Sequence, residues 1–286
     1  MDMEEKEVKI AHRILLDLLL EFHEFCNENN LKYYIIGGTL LGAARHKGFI
    51  PWDVDADVAM PRKDYERMVE LALSGFSAEY YIQNVISDNC FYTPKTKILV
   101  LGAKKNNPNR YVINSKTGLN LDIFPLDKAP TSFRHRKIQR IKLLILKKIL
   151  IYKIKESNKS RTFKGKLKKY LRTAVRIALK PFSETRIINY TTKIMKMYNE
   201  SNSDLICSMA SHYDYNKQVM GKNIYGEGKE IEFEGHMLIG PDKVHEYLVQ
   251  IYGDYMKLPS EDSRKKMYEN LELELSDEIE KKYKVR

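Results

Sequence analysis

Residues 37–60 read GGTLLGAARHKGFIPWDVDADVAM, and their three aspartates, Asp53, Asp55 and Asp57, narrow what the chain can fold into. Acid alternates with Val54, Ala56 and Val58, the two-residue period of a strand. Successive side chains on a strand point to opposite faces. The three carboxylates therefore share one side, and the small apolar residues share the other. Like charges this close repel, and folding gains nothing from crowding them. A bound divalent cation would offset the repulsion. Hard oxygen donors on a rigid strand suit Mg²⁺ or Mn²⁺, which keep waters and accept substrate phosphate oxygens. Solvated acids on an exposed strand edge are the plain alternative.

The surroundings favour the metal. Gly37 and Gly38 stop a short strand, KYYIIGG, where glycine lets a phosphate approach backbone amides. Arg45, His46 and Lys47 offer countercharge to phosphate. His46 reads as a phosphate donor, since no second histidine sits at ligand spacing. A glycine pair followed by an hDhDh strand is how nucleotidyltransferase-type folds build a two-metal phosphate site. Asp122, on a second predicted strand GLNLDIFPLD, could complete the carboxylate cluster. Two carboxylate-held metals polarise a phosphoryl group and neutralise a diphosphate leaving group. No Ser or Cys nucleophile motif, P-loop or GxGxxG occurs, which weakens kinase and dinucleotide readings.

Elsewhere the pattern is mixed. Residues 4–29 carry Ile10, Ile14, Leu15, Leu18 and Phe22 at helical spacing. RKDYERMVELAL is a predicted helix and KTKILVLG a strand. GPDKVHEYLVQIYG is a helix opened by Pro241 and closed by Gly253. The tail from Ser260 reads as one charged helix, with Met267, Leu271 and Leu275 as its stripe. Trp52 admits two readings, stacking on a base or head group and core packing. Tyr252 and Tyr255 read as packing a helix end. The fold class expected is α/β (α+β): a mixed sheet flanked by helices and interrupted by a basic helical insertion. The divisions are a catalytic core over 1–130, the insertion over 131–200, and a C-terminal segment over 201–286 completing the core.

Charge singles out that insertion. The 286-residue chain has net charge +11, yet residues 134–180 alone hold eighteen Lys or Arg against one acid, Glu156. The remainder is net acidic. Two amphipathic helices are expected here, over 138–155 and 164–180. A solvated charged face, a nucleic-acid surface and docking on an anionic membrane are the three readings. Sparse aromatic interleaving speaks against nucleic acid, and docking is the preferred reading. No apolar run nears the length of a membrane span, and the acidic N-terminus has no signal-peptide character. Cys26, Cys90 and Cys207 show no metal or disulfide spacing. A cytoplasmic protein, peripheral on the inner face of the membrane, is the expectation.

Four blocks carry a family resemblance: GGTLLGAARHKGFIPWDVDADVAMPRKDYERM, TKI around Lys97, LDIFPLD, and FEGHMLIGPDKVHEYLVQIYGDYMKLP. In this order they resemble the LicD family of phosphocholine-type transferases. The resemblance implies a nucleotidyltransferase-like core, Mg²⁺ dependence, and transfer of a substituted phosphate from a CDP-activated donor to a hydroxyl of a cell-surface glycan, free or lipid-linked. It implies Asp55 and Asp57 as central metal ligands, with Asp53 beside them. It makes Asp122 either a ligand or the acceptor of the incoming hydroxyl's proton, and Lys97 a phosphate contact. Glu234 could meet the donor head group, and His236 matches without an assignable role. The family usually reads PWDDDID where this chain has PWDVDAD, so Val54 stands in place of an aspartate. By alternation position 54 faces away from the other three, and the metal face survives. The rival readings are a nucleotidyltransferase releasing pyrophosphate, a catalytically silent relative, and a basic binding protein.

Overall fold

The computed structural model describes residues 3–105, 116–154, 170, 173–174, 177–178, 181–268 and 273–284. Its fold is α+β, a curled mixed sheet flanked by helices. Helix α1 (Met3–Glu28) places Ala11, Ile14, Leu15, Leu18, Leu19 and Phe22 at three- and four-residue intervals, all sealed from solvent. Each such aliphatic side chain contributes about 1.5–3 kcal/mol through burial. The stripe covers a sheet whose long strand, β6 (Asn120–Lys128), is buried along most of its length. In order across the sheet run β1 (Tyr34–Ile35), β2 (Ala56–Pro61), β6, β4 (Thr96–Val100) and β3 (Tyr80–Gln83). The β2–β6 pair is parallel, and the other neighbours in this path are antiparallel.

Two helices connect the first strands. Helix α2 (Gly37–His46) follows β1 directly, and α3 (Arg62–Gly75) follows β2. Arg62 and Asp127 form a buried bidentate pair at 2.8 and 2.5 Å, tying the start of α3 to the end of β6. Beyond β6 the chain enters α4 (Phe133–Ile154), returns along α5 (Glu184–Lys196), and rejoins the sheet as β7 (Leu205–Cys207), which pairs with the end of β6. β8 (Val219–Gly221) pairs with β7. A hairpin of β9 (Lys229–Phe233) and β10 (His236–Gly240) precedes α6 (Val244–Tyr252).

Three expectations need correction. β2 begins at Ala56, so Asp53 and Asp55 lie in the extended run before it. The inward–outward alternation nonetheless holds from Asp53 through Val58, with Val54, Ala56 and Val58 buried and the three aspartates half-buried. Pro241 does not open α6. The helix starts three residues later, because Asp242 is engaged with the backbone N–H groups of Glu227 and Gly228. The tail is not one helix: after a helix over Glu261–Tyr268, Leu273–Leu275 forms a strand against Ala103–Lys105 (β5), and a last helix covers Asp277–Lys284. Of the predicted stripe only Leu275 falls where its surroundings are described, in that strand. The first basic helix is present as α4. The second, over 164–180, lies largely outside the described residues.

Candidate active site

Strand register gathers the chemistry. Asp57 on β2 is the direct partner of Asp122 on β6, Asp122 that of Lys97 on β4, and Lys97 that of Gln83 on β3. Directly opposed residues share a face, so four side chains from four strands form one row. At its β2 end the row meets the first turn of α2. Ile36 N–H donates to the Asp57 carbonyl (3.0 Å), and Asp57 N–H donates to Thr39 Oγ1 (2.8 Å). The glycines there are required by contact. A Cβ on Gly37, whose φ is +56°, would lie 2.8 Å from Asp57 Oδ2, and one on Gly38 would lie 2.9 Å from Asp53 Oδ2. The pair thus lets the helix start close on the carboxylates.

The aspartate run is held from behind. Pro51 and Trp52 occupy the turn closed by Asp53 N–H to the Ile50 carbonyl (2.9 Å). From α1, His12 Nε2 donates to the Asp53 carbonyl (2.7 Å) and stacks on Phe49. Burial pulls the His12 pKa down, so at neutral pH its proton sits on Nε2, as that bond demands.

Electrostatics divide the carboxylates. Burial, then Asp55 and Asp122, push Asp57 well above the usual carboxylate range. Burial pushes Asp122 up as well, but Lys95 at 2.7 Å and Lys97 at 3.1 Å outweigh it and hold Asp122 ionised. Lys95 also sits 4.4 Å from the centre of the Phe124 ring. A cleft of about 980 Å³ opens beside this row. Asp55, Lys95, Lys97, Asn120, His212 and Tyr213 line its polar end. Burial and Lys95 lower the His212 pKa, partly countered by Asp55, which leaves a neutral imidazole facing the cleft at pH 7. Tyr213 donates to Tyr252 Oη at 2.9 Å, and Gly37 N–H lies 3.4 Å from Tyr247 Oη, so three tyrosines wall the carboxylates.

Other expected site residues are placed elsewhere. Trp52 is buried, with Arg45 and Arg264 guanidinium carbons 6.0 and 5.3 Å from its ring centre and His46 edge-on. Its ring belongs to the main core cluster. Arg45 donates to the Tyr255 carbonyl (3.1 Å), and Lys47 faces Glu232 at 3.6 Å. Glu234 turns the β9–β10 hairpin with Gly235, both at positive φ, and its Oε1 accepts from Phe49 N–H (2.9 Å). It clamps the loop before the aspartates. His236 is exposed at the start of β10. Lys95, His12, His212 and Tyr213 were missed by sequence reasoning. Only Lys95 carried a local signal, two residues before Lys97 on the same face of an extended run.

Among the described residues no three His, Cys, Asp or Glu side chains converge tightly enough to enclose a metal ion alone. The donor chemistry still fits Mg²⁺. Asp57 is crowded by Asp55 and Asp122 in a half-buried position, which a cation would relieve. Mg²⁺ is commonly bound by one or two carboxylates, with waters and phosphate oxygens filling the remaining positions. Asp55 and Asp57 would hold it; Asp122 is engaged with two lysines.

A mixed sheet bearing paired carboxylates and lysines beside a glycine-opened helix defines a nucleotidyltransferase-type site. Residues 30–144 match the family model described as the LicD/FKTN/FKRP nucleotidyltransferase domain. The chain is 30% identical over 262 residues to the lipopolysaccharide cholinephosphotransferase LicD of Haemophilus influenzae, spanning 88% of this chain and 92% of that one. It belongs to the LicD family. Shorter matches, 41% over 66 residues and 48% over 50, reach uncharacterised proteins of Rickettsia typhi and Rickettsia prowazekii.

Proposed function

We propose that the protein transfers a phospho-substituent, phosphocholine being the first candidate, from a CDP-activated donor to a hydroxyl of a cell-surface glycan or its lipid-linked precursor. The row of Asp57, Asp122 and Lys97 across three neighbouring strands, with Lys95 beside it and a cleft in front, carries this reading. The name of the Haemophilus relative points to phosphocholine and to lipopolysaccharide. Bound Mg²⁺ would supply Lewis-acid polarisation of the donor phosphates. Asp55 and Asp57 would hold and orient it. Lys95 and Lys97, fixed on Asp122, present positive charge toward the cleft, where a diphosphate gathers negative charge. In the reaction the acceptor oxygen attacks the distal phosphorus, and the bond from that phosphorus to the bridging oxygen breaks. CMP leaves with the bridging oxygen, and the acceptor's proton passes to a base facing the cleft. Lys95 and Lys97 lower the basicity of Asp122, and Asp55 is committed to the cation, so the neutral His212 on the cleft wall is the better placed proton acceptor.

The deciding experiment incubates the protein and Mg²⁺ with a panel of CDP-linked choline, ethanolamine, glycerol and ribitol, plus a glycan acceptor, and measures CMP. CMP release with one donor, lost in Asp57→Ala, is expected. Pyrophosphate release from a nucleoside triphosphate would instead make it a nucleotidyltransferase. Donor turnover indifferent to Asp57→Ala would remove the site assignment.

A further inference from the structure

The solvent face of α4 has no part in the chemistry above. The helix packs inward through buried Gln139 and Leu150, with Leu143 and Leu146 at their side. Gln139 bonds to the Ile194 carbonyl on α5 (2.8 Å) and to Tyr215 (2.6 Å). At 100° per residue these four positions occupy one narrow sector. The opposite sector of a surface helix is normally polar. Here it holds Phe133, Ile138, Ile141, Leu144, Ile145 and Ile151, exposed by 40 to 70%. Arg134, Lys137 and Lys148 lie among them, and the helix has no acid. Apolar exposure on this scale, gathered on one element, marks an interaction surface.

Two further observations say what covers it. Leu144 and Ile151 belong both to this exposed face and to the wall of the cleft that holds Asp55, Lys95 and Lys97, so surface and cleft are continuous. The charge is one-signed, and the basic run extends well past α4 along the sequence. A nucleic acid would neutralise the lysines and leave the isoleucines wet. A bilayer with anionic headgroups satisfies both, taking aliphatic side chains into the acyl boundary and lysines at the phosphates. No helix among the described residues is long and apolar enough to cross a membrane, so the contact lies on its surface.

We infer that the outer face of α4 docks the protein on an anionic lipid bilayer, with the cleft mouth turned toward that surface. Resting on the function proposed above, this places an acceptor tethered to the same bilayer at the cleft, entering past Leu144 and Ile151.

The test floats the full chain with vesicles of phosphatidylcholine plus phosphatidylglycerol, or of phosphatidylcholine alone. The protein is expected to float with the first and not the second. The double variant Ile141→Glu/Ile145→Glu, at positions outside the cleft wall, should lose about tenfold in partition, and Lys137→Glu/Lys148→Glu a comparable amount. Both should keep the wild-type circular dichroism and unfolding temperature. A wild type that stays unbound, or binds neutral vesicles equally, overturns the inference, as does an Ile141→Glu/Ile145→Glu protein that floats like wild type. Oligonucleotide binding abolished by the lysine pair and untouched by the isoleucine pair would assign the face to nucleic acid and overturn it too. Donor turnover on a water-soluble acceptor is measured alongside. Docking without turnover removes the proposed function and leaves the docking face; turnover without docking does the reverse.

Discussion

At the scale of single residues, two carboxyls paired in register have opposite characters. Asp122 has two lysines against it, whereas Asp57 has mainly other acids. Replacing Lys95 by Met removes the strongest cation acting on Asp122. Its pKa should rise, which titration of that carboxyl would show, and donor KM should rise at every pH because the diphosphate loses a countercharge. An unchanged donor KM would remove Lys95 from the donor's contacts. Asp57→Ala should cost on the order of 10³-fold in kcat, because transition-state charge loses its cation, while thermal stability in chelator holds or rises. Asp53, Asp55 and Asp57 were legible because their spacing is local and its electrostatic cost plain. His12, His212 and Tyr213 were not, since a lone histidine or tyrosine acquires meaning only from what tertiary structure brings beside it.

At the scale of elements, the glycine pair and the β9–β10 hairpin supply the sharper tests. Gly37→Ala sets a Cβ 2.8 Å from Asp57 Oδ2 at φ +56°, whereas Gly38→Ala meets only the end of the Asp53 side chain at an ordinary φ. The first should cost about 1–2 kcal/mol in unfolding and most of the activity; the second should cost clearly less in both. Equal losses would mean that backbone conformation is not what position 37 demands. Glu234 separates clamp from ligand. As the acceptor for Phe49 N–H, its loss in Glu234→Ala should cost about 1 kcal/mol in stability with donor KM unchanged. A large rise in KM would return it to the head group. The long elements could be read directly, α1 from its helical periodicity and β6 from its nearly continuous apolar run. β3, β5, β7 and β8 could not, being three- or four-residue strands fixed by their pairing partners and carrying almost no pattern of their own. The Glu-Gly hairpin turn was a missed signal, since two residues at positive φ between alternating runs are what a tight hairpin needs.

For the molecule as a whole, cation binding, protonation and folding form one linked equilibrium. A carboxyl whose folded pKa lies above its unfolded value stabilises the fold fully below the unfolded value, here 3.8, and that contribution is lost as pH rises through the folded pKa. Asp57 is such a group. Asp122 has the reverse sign: its contribution is present above 3.8 and lost only at lower pH, so it is constant through the neutral range. His12, His46 and His212 have lowered pKa values, and their contributions grow as pH rises toward 6.5. The wild-type melting curve mixes these slopes. Its difference from Asp57→Asn cancels the histidines and isolates the one carboxyl. In chelator, the unfolding temperature of Asp57→Asn minus that of wild type should increase from pH 5 to pH 8. Metal binding requires the ionised carboxylate, so Mg²⁺ should stabilise wild type more at pH 8 than at pH 5. At ~100 times its dissociation constant the gain is about 2.7 kcal/mol, and Asp57→Asn should lose most of it. Scanning fluorimetry over four pH values, with chelator or Mg²⁺, measures every quantity. Mg²⁺ stabilisation that is flat with pH, or undiminished in Asp57→Asn, would place the cation away from the aspartate run and leave the crowding of Asp57 without its physical explanation.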